Sequence, residues 1–261
     1  MDLNLSGRRA IVCGSTQGIG KAIALEIASL GAAVTLFARN EESLQSVLKE
    51  LPRDASQDHQ YLVADFSMPE TVREVIREYA GNNDVHILVN NTGGPPGGRA
   101  IDAAPDEFAK AYTQHLICNQ ILVQACLEGM KRARYGRIIN VISTSVKVPI
   151  RGLGVSNTVR GAVANWAKTL ASELGPYGIT VNNLLPGSFE TGRMRDLVQK
   201  RAKESGKTEQ EILDEMISDI PVGRIGDPSE IAAAAAFLAS PAASYINGIN
   251  LPVDGGRTPA L

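Results

Sequence analysis

The feature that most constrains this chain is a glycine-rich turn, residues 14–20, that lies between two segments of different hydrophobic periodicity. The residues just before it, Ala10 to Cys13, form the short apolar run that is typical of a buried parallel strand. From the end of the turn onward, apolar residues recur at helical spacing on one face. They are Ile19, Ile23, Ile27 and Leu30. The stretch therefore predicts a strand that continues through a tight turn into a helix, which Gly31 ends.

A strand, a glycine turn and a helix in this order can bind a pyrophosphate. The first glycine allows the tight turn, and the later ones let the backbone approach the phosphates and let the helix pack on the strand. The helix N-terminus adds unpaired N–H groups and partial positive charge. The spacing Gly-x-x-x-Gly-x-Gly is not the commonest fingerprint, and an ordinary glycine-rich turn is the alternative. Because strand and helix flank the turn, we expect a dinucleotide here. The predicted contacts are Gly14, Ser15, Thr16, Gln17, Gly18, Ile19 and Gly20.

The end of the second predicted strand, Ala33 to Ala38, indicates which dinucleotide binds. NAD sites of this architecture carry an acidic residue about 20 positions after the glycines, whereas the 2′-phosphate of NADP needs a cation. Arg39 follows this strand directly. Glu41 and Glu42 come later and suit the first turn of the next helix. We therefore expect NADP(H) rather than NAD(H), the alternative being that Arg39 is a solvated surface cation.

Composition and charge exclude several function classes. The chain has 261 residues and reads as a single α/β domain, 1–261. Its formal net charge of −2 is dispersed, which argues against a nucleic-acid partner and against a membrane-surface patch. The longest near-apolar run, Ile231 to Ala239, is too short to span a bilayer, and the N-terminus lacks a signal-peptide core, so we expect a cytoplasmic protein. The three cysteines lack metal-site spacing, so we expect buried free thiols and no metal.

Two further strand ends are expected to border the same cleft, because ligands of open α/β sheets bind outside the carboxyl ends of the strands. A third strand, Gln60 to Ala64, ends in Asp65 and Phe66, which are placed to meet an adenine edge; capping of the next turn is the alternative for Asp65. After a helix over about 70–80, a fourth strand covers 85–89. The contacts predicted after it are Asn91, Thr92 and Gly93, with the stiff loop 95–98 shaping the rim.

With these residues the chain resembles the short-chain dehydrogenase/reductase family, of classical type, over nearly all of its length. The resemblance rests on several motifs in order. They are the Gly14/Gly18/Gly20 turn, Asp65, Asn90 to Gly93, Gly136 to Asn140 leading into Ser143, Pro186-Gly187 with Thr191, and Leu251 to Gly256. It implies a three-layer, doubly wound (Rossmann) fold with a seven-stranded parallel sheet, and a homotetramer or homodimer. It also implies that Pro186, Gly187 and Thr191 meet the nicotinamide carboxamide.

The chain departs from the family at its catalytic positions. Members of this family resemble one another in four catalytic residues, an Asn, a Ser, a Tyr and a Lys. The Tyr lies thirteen residues after the Ser, and the Lys lies four residues after the Tyr. Counting from Ser143, the tyrosine position holds Ser156 and the lysine position holds Arg160. Counting back along the preceding helix puts His115 at the asparagine position. Of the four catalytic residues, Ser143 alone is retained.

These replacements change the available proton chemistry. An aliphatic hydroxyl is a much weaker acid than a phenol, whose reference pKa is about 10, so Ser156 cannot take over the tyrosine's role. Arg160 lies one turn from Ser156 and its donors can hold the nicotinamide ribose hydroxyls. His115, with a reference pKa of about 6.5, is a candidate proton donor or acceptor; the alternative is a hydrogen-bonded histidine inside a packing face. Ser143 is expected to donate to a substrate oxygen or, alternatively, to cap local backbone.

The sequence therefore predicts an NADP(H)-dependent oxidoreductase that acts on a small carbonyl or a conjugated enone/enoate, with an atypical catalytic set. Hydride addition to an activated C=C bond fits the missing tyrosine, because it depends less on acid catalysis at oxygen. In that reaction Ser143, Ser156 and Arg160 are expected to hold the oxyanion, and solvent or His115 to supply the proton. A pseudoenzyme that binds nucleotide and has lost hydride chemistry is the main alternative, and an isomerase or lyase is a third. The retained Pro186, Gly187 and Thr191 favour hydride transfer.

A segment over about 188–221 resembles the family's mobile substrate lid. Its apolar positions at helical spacing are Ile212, Leu213, Met216 and Ile217. Arg193, Met194 and Arg195 begin it, which allows an anionic group on the substrate, although solvated lid charges are the alternative. A strand over 179–184 precedes the lid. The last helix starts at Asp227-Pro228, and a final strand covers 248–253.

Overall fold

Seven parallel strands form one sheet through the centre of the molecule, in a computed structural model that describes residues 1–260. Their order across the sheet is β3-β2-β1-β4-β5-β6-β7, and every neighbouring pair is parallel. The strands are β1 Arg9–Cys13, β2 Ala33–Ala38, β3 Gln60–Val63, β4 Ile87–Asn90, β5 Gly136–Val141, β6 Ile179–Pro186 and β7 Asn250–Val253. The predicted doubly wound fold is therefore confirmed.

Helices cover both faces of this sheet. The helices are α1 Gly18–Ser29, α2 Glu41–Glu50, α3 Pro69–Asn82, α4 Pro105–Tyr112, α5 Cys118–Ala133, α6 Gly154–Leu174, α7 Gly192–Ser205, α8 Glu209–Ser218 and α9 Pro228–Ala239. Helices α1, α2 and α9 pack on one face, and α3, α5 and α6 pack on the other. No helix within residues 1–260 is both long enough and apolar enough to cross a bilayer.

Strand β1 shows why the sequence before the glycine turn is apolar at every position. Ala10 and Val12 belong to the core under α1 and α9, whereas Ile11 and Cys13 belong to the core under α3 and α5. All four are fully buried. Successive strand residues point to opposite faces, and helices cover both, so β1 has no solvent side that would tolerate a polar residue.

Most predicted elements match within two residues, and the differences at β4 and β7 have physical causes. Strand β4 starts at Ile87 rather than residue 85 and extends to Asn90, because Asn90 pairs with Asn140 of β5 in the sheet register. Strand β7 starts at Asn250 rather than residue 248. Gly248 has a φ of +74°, in the left-handed region, which is incompatible with an extended strand.

The strand order reverses between β1 and β4, since β2 and β3 lie on one side of this point and β5, β6 and β7 lie on the other. A crevice forms outside the carboxyl ends of the strands at such a switch point. The loops that follow β1, β2, β3, β4 and β6 therefore meet at one edge of the sheet.

Candidate functional site

The glycine turn is packed so closely that two of its glycines have no room for a side chain. A Cβ added at Gly20 would lie 2.2 Å from the Gly14 carbonyl oxygen, and one added at Gly14 would lie 2.5 Å from the Asn91 carbonyl oxygen. The Asn91 Nδ2 donates to the carbonyl oxygens of Cys13 and Gly14, each at 3.2 Å. The loop after β4 thus braces the turn after β1 and leaves the N-terminus of α1 open to the cleft.

A cleft of about 740 Å³ runs along this edge of the sheet, within the size range of small-molecule and cofactor sites. Most residues predicted to bind the cofactor line it. They are Gly14, Thr16, Gln17, Gly18, Ile19, Gly20, Arg39, Asp65, Phe66, Asn91, Thr92, Gly93, Arg160, Pro186 and Thr191. Residues separated by up to 177 positions in the sequence, from Gly14 to Thr191, are therefore brought to one surface.

Two predicted contacts, Ser15 and Gly187, are not among the residues that line the cleft. Ser15 is fully buried, and its Oγ accepts a hydrogen bond from the Phe37 backbone N–H at 3.1 Å. A Cβ added at Gly187 would lie 2.6 Å from the Asp254 Cα. Both residues support the wall of the cleft from behind, because their contacts are with β2 and with the segment after β7.

The end of β2 carries the cation expected for a 2′-phosphate. The strand ends at Ala38, and the exposed Arg39 lines the cleft directly after it. Glu41 and Glu42 begin α2, as predicted, and the Asn40 side chain caps this helix by accepting from the Ser43 N–H at 2.8 Å. Hydrogen bonds from Ser67 are the main cause of the lowered pKa of Asp65, and Arg39 adds a smaller electrostatic effect. Arg39 therefore lies close to Asp65.

Ser143 and Ser156 are not among the residues that line the cleft. Ser143 follows β5 and its Oγ accepts from the Ser145 backbone N–H at 3.1 Å, so the capping alternative for this serine is observed. An oxygen that accepts one bond can still donate its own proton, which leaves the substrate-binding interpretation open. Ser156 lies in the first turn of α6 and is half-buried.

Arg160 is buried between the ends of two neighbouring strands. Its Nη1 donates to the Val141 carbonyl oxygen of β5 at 2.9 Å, and its Nη2 lies 3.5 Å from the Thr92 carbonyl oxygen after β4. Burial lowers the pKa of Arg160 to about 10, with a further contribution from the charge of Arg193. Arg160 therefore remains a cation at neutral pH, and part of its donor capacity joins β4 to β5.

His115 occupies a wide turn, Thr113–Ile117, in which the backbone hydrogen bonds follow the π-helical pattern. Its Nδ1 shares a hydrogen bond of 2.5 Å with the Thr92 Oγ1, and only 1% of the residue is exposed. Burial, followed by the charges of Arg160 and Arg193, lowers the pKa of His115 to about 3. The lowered pKa and the bond to Thr92 favour the alternative of a hydrogen-bonded histidine in a packing face over a role in proton transfer.

Further residues line the cleft besides the predicted contacts, among them Gln114, Gly94 and Arg193. Arg193 was expected at the start of the lid, whereas no signal in the sequence indicated Gln114. Gln114 and His115 are neighbours, yet one lines the cleft and the other is buried behind Thr92. A π turn inserts an extra residue into the helical repeat and is frequent at functional sites. The sequence pointed to His115 alone because a count of positions along the chain does not show which side chain of the turn faces the cleft.

The comparisons with known proteins agree with this geometry. Residues 14–258 match a family model described as Enoyl-(Acyl carrier protein) reductase. The NADPH-dependent reductase BacG of Bacillus subtilis (strain 168) is 33% identical over 98% of this chain and 100% of that protein. The 3-oxoacyl-[acyl-carrier-protein] reductase FabG of Vibrio cholerae is also 33% identical, over 97% of this chain and 98% of that protein.

A solved structure gives the same result. The crystal structure of L-sorbose reductase from Gluconobacter frateurii, complexed with NADPH and L-sorbose, superimposes with a TM-score of 0.93 at 28% identity and covers 100% of both chains. These relatives support the NADP(H) preference that Arg39 indicates. With the sheet order, the glycine turn and the cleft at the switch point, they show that the chain belongs to the short-chain dehydrogenase/reductase family of NAD(P)-dependent oxidoreductases.

Proposed function

We propose that this chain is an NADP(H)-dependent reductase that adds hydride to a small conjugated enone or enoate, with a small carbonyl as the second substrate class. One observation carries the proposal. The cleft keeps the residue types that hold a dinucleotide, while no tyrosine, lysine or histidine of residues 1–260 lines it. The enzyme thus retains a place for the hydride donor and lacks the usual acid at the carbonyl oxygen.

The residues present fit NADP(H) along its whole length. The N–H groups at the start of α1 suit the pyrophosphate, since Gly14 and Gly20 admit no side chain there. Arg39 suits the 2′-phosphate because a guanidinium binds phosphate through paired hydrogen bonds. Pro186 and Thr191, which the family resemblance assigns to the nicotinamide carboxamide, line the same cleft. When bound, NADPH supplies the hydride.

The side chains near the nicotinamide end provide hydrogen-bond donors rather than a general acid. Reduction of a ketone leaves an alkoxide, which must gain a proton as it forms. Hydride addition to the β-carbon of an enone instead spreads the charge over an enolate. The hydroxyl of Ser143 and the amide of Gln114 can stabilise that oxygen without changing protonation, and water can protonate the carbon afterwards.

The test is NADPH consumption, followed by absorbance, with matched substrates. We expect the purified protein to reduce 2-cyclohexen-1-one to cyclohexanone and to leave cyclohexanone itself unreduced. The double variant Ser156→Tyr/Arg160→Lys is expected to gain reduction of cyclohexanone, because it restores the acid and its supporting ammonium. Rapid reduction of the saturated ketone by the unmodified protein, with no reduction of the enone, would contradict the proposal.

A nucleotide-binding pseudoenzyme is the second candidate, and the bonds of Arg160 to two backbone carbonyls favour it, because they occupy donors otherwise available to the cofactor ribose. Such a protein binds NADPH and consumes none with any ketone, enone or enoate. An isomerase or lyase would convert substrate without a stoichiometric loss of NADPH. Measuring NADPH binding, NADPH loss and product together separates the three.

A further inference from the structure

Arg193 reaches from the lid segment into the cleft. It lies in the first turn of α7, one residue after Gly192. A Cβ added at Gly94 would lie 2.9 Å from its Nη1 and 3.0 Å from its Nη2. The guanidinium of Arg193, an exposed residue, therefore rests against the backbone of the loop after β4.

No hydrogen bond or ion pair joins the Arg193 side chain to another residue within 1–260. Arg160 lies near Arg193, and the buried Nε of Arg160 has no hydrogen-bond partner among residues 1–260. The charged groups that act on Arg160 and His115 are arginines in every case. Positive charge is thus concentrated at one end of the cleft without a carboxylate to balance it, and such a region attracts an anion.

The start of the lid lies against the glycine turn, and the guanidinium of Arg193 reaches beyond it. The phosphates belong at the glycine turn, where a Cβ at Gly18 would lie 3.2 Å from the Thr191 Cγ2. Arg193 instead lies over Gly94, two residues after Thr92, whose carbonyl accepts from Arg160 and whose hydroxyl bonds to His115. Arg193 therefore lies on the side of the cleft where Arg160 and His115 are, next to the residues proposed to act on the substrate.

We infer that Arg193 forms an anion subsite for the substrate, and that the substrate of the proposed reduction carries a carboxylate. The inference rests on the proposed function and names its substrate class. The guanidinium fork pairs with the two oxygens of a carboxylate through parallel hydrogen bonds. Because Arg193 belongs to α7, a bound carboxylate also joins the lid segment to the rest of the cleft, and substrate binding then favours closure.

The test measures binding separately from turnover. The protein saturated with NADP⁺ is titrated by calorimetry with two acid and ester pairs: 4-oxopentanoate or 3-benzoylpropanoate, and the methyl ester of each. We expect the acids to bind more tightly than the esters. Arg193→Met is expected to weaken binding of the acids about 10- to 100-fold, the range for charge-assisted hydrogen bonds, and to leave the esters unchanged.

Two further variants separate the subsite from general effects. Arg195→Met removes a neighbouring exposed arginine that does not line the cleft, and it is expected to bind acids and esters as the unmodified protein does. Gly94→Ala adds a Cβ against the Arg193 guanidinium and is expected to weaken acid binding in the same direction as Arg193→Met.

Three outcomes would overturn the subsite: acids and esters that bind equally well, no binding of either acid, or an Arg193→Met variant that loses NADPH affinity by the same factor. The last result would identify the anion as a cofactor phosphate. Tight acid binding without any NADPH consumption would retain the subsite and reject the proposed reduction. Reduction of neutral enones, with acids and esters bound equally well, would retain the proposed reduction and reject the subsite.

Discussion

The two halves of the sheet on either side of the β1/β4 switch point use polar residues in different ways. In the half formed by β1, β2 and β3, the polar residues of the site, Arg39 and Asp65, come after the strands and line the cleft. In the other half, polar side chains lie inside the strands. They form a row of register partners on β4, β5, β6 and β7: Asn90, Asn140, Asn183 and Asn250.

The row is a continuous ladder of amide hydrogen bonds. Asn90 Nδ2 donates to Asn140 Oδ1 at 2.8 Å, Asn140 Nδ2 to Asn183 Oδ1 at 2.9 Å, and Asn183 Nδ2 to Asn250 Oδ1 at 2.8 Å. Arg160 adds bonds between the ends of β4 and β5. The half formed by β1, β2 and β3, here called the cofactor half, thus exposes its polar site residues in the cleft. The half formed by β4 to β7, here called the catalytic half, also lines the cleft with polar residues but bonds a row of asparagines internally.

Gly20→Ala tests the cofactor half and has the largest expected effect. The new Cβ would overlap the Gly14 carbonyl oxygen at 2.2 Å, so the turn must open. We expect NADPH binding, measured by fluorescence, to be lost and the free energy of unfolding to fall by about 4 kcal/mol, the upper end of overpacking effects. Gly81→Ala in α3 is the control, because its Cβ meets nothing within 4 Å. Retained NADPH binding in Gly20→Ala would refute the close packing described for the turn.

Asn140→Leu tests the catalytic half. It leaves the Asn90 Nδ2 donor and the Asn183 Oδ1 acceptor without their partners in the buried sheet. We expect the free energy of unfolding in urea to fall by about 3 kcal/mol, since each unsatisfied buried group costs about 1–3 kcal/mol. Asn250→Leu, at the end of the row, removes one bond and should cost less. Equal costs for the two variants, or a cost as small as that of the exposed Asn165→Leu, would show that the row adds no stability.

Arg39→Met tests whether the polar residue at the end of β2 binds the 2′-phosphate of the cofactor. We expect the Kd for NADPH to rise about 10- to 100-fold, equivalent to about 1.5–3 kcal/mol for charge-assisted bonds to phosphate. The Kd for NADH should stay within about twofold, because NADH lacks the 2′-phosphate. An equal loss for both cofactors would mean that Arg39 holds the fold rather than the phosphate.

His115→Asn has the smallest expected effect and concerns pH. The folded pKa of about 3 lies below the reference value of 6.5, so the unfolded state binds the proton first as pH falls. The free energy of unfolding should therefore decrease below about pH 6.5, with about 1 kcal/mol lost between pH 7.5 and 5.5 through this group. Urea unfolding at both pH values should show that the variant lacks this loss. An identical pH dependence in both proteins would contradict the lowered pKa.

The sequence predicted the cofactor half because its evidence is local. A strand, a glycine turn and a helix need only neighbouring residues to specify them, and β2 and α2 fell at the predicted positions on either side of Arg39. The positions of Ser156 and Arg160 were also readable by counting along one helix. The environments of these two residues could not be predicted by counting, because the partners of Arg160 are backbone carbonyls at the ends of two distant strands.

What the sequence by itself determined is the doubly wound fold and the preference for NADP(H). Tertiary structure alone decided that His115 is neutral and buried, that Gln114 and Arg193 line the cleft, and that four asparagines bond across four strands. The physical reason is that hydrogen bonding, burial and charge at these residues depend on groups many positions away in the chain. Hydrophobic periodicity, by contrast, is a property of each segment on its own.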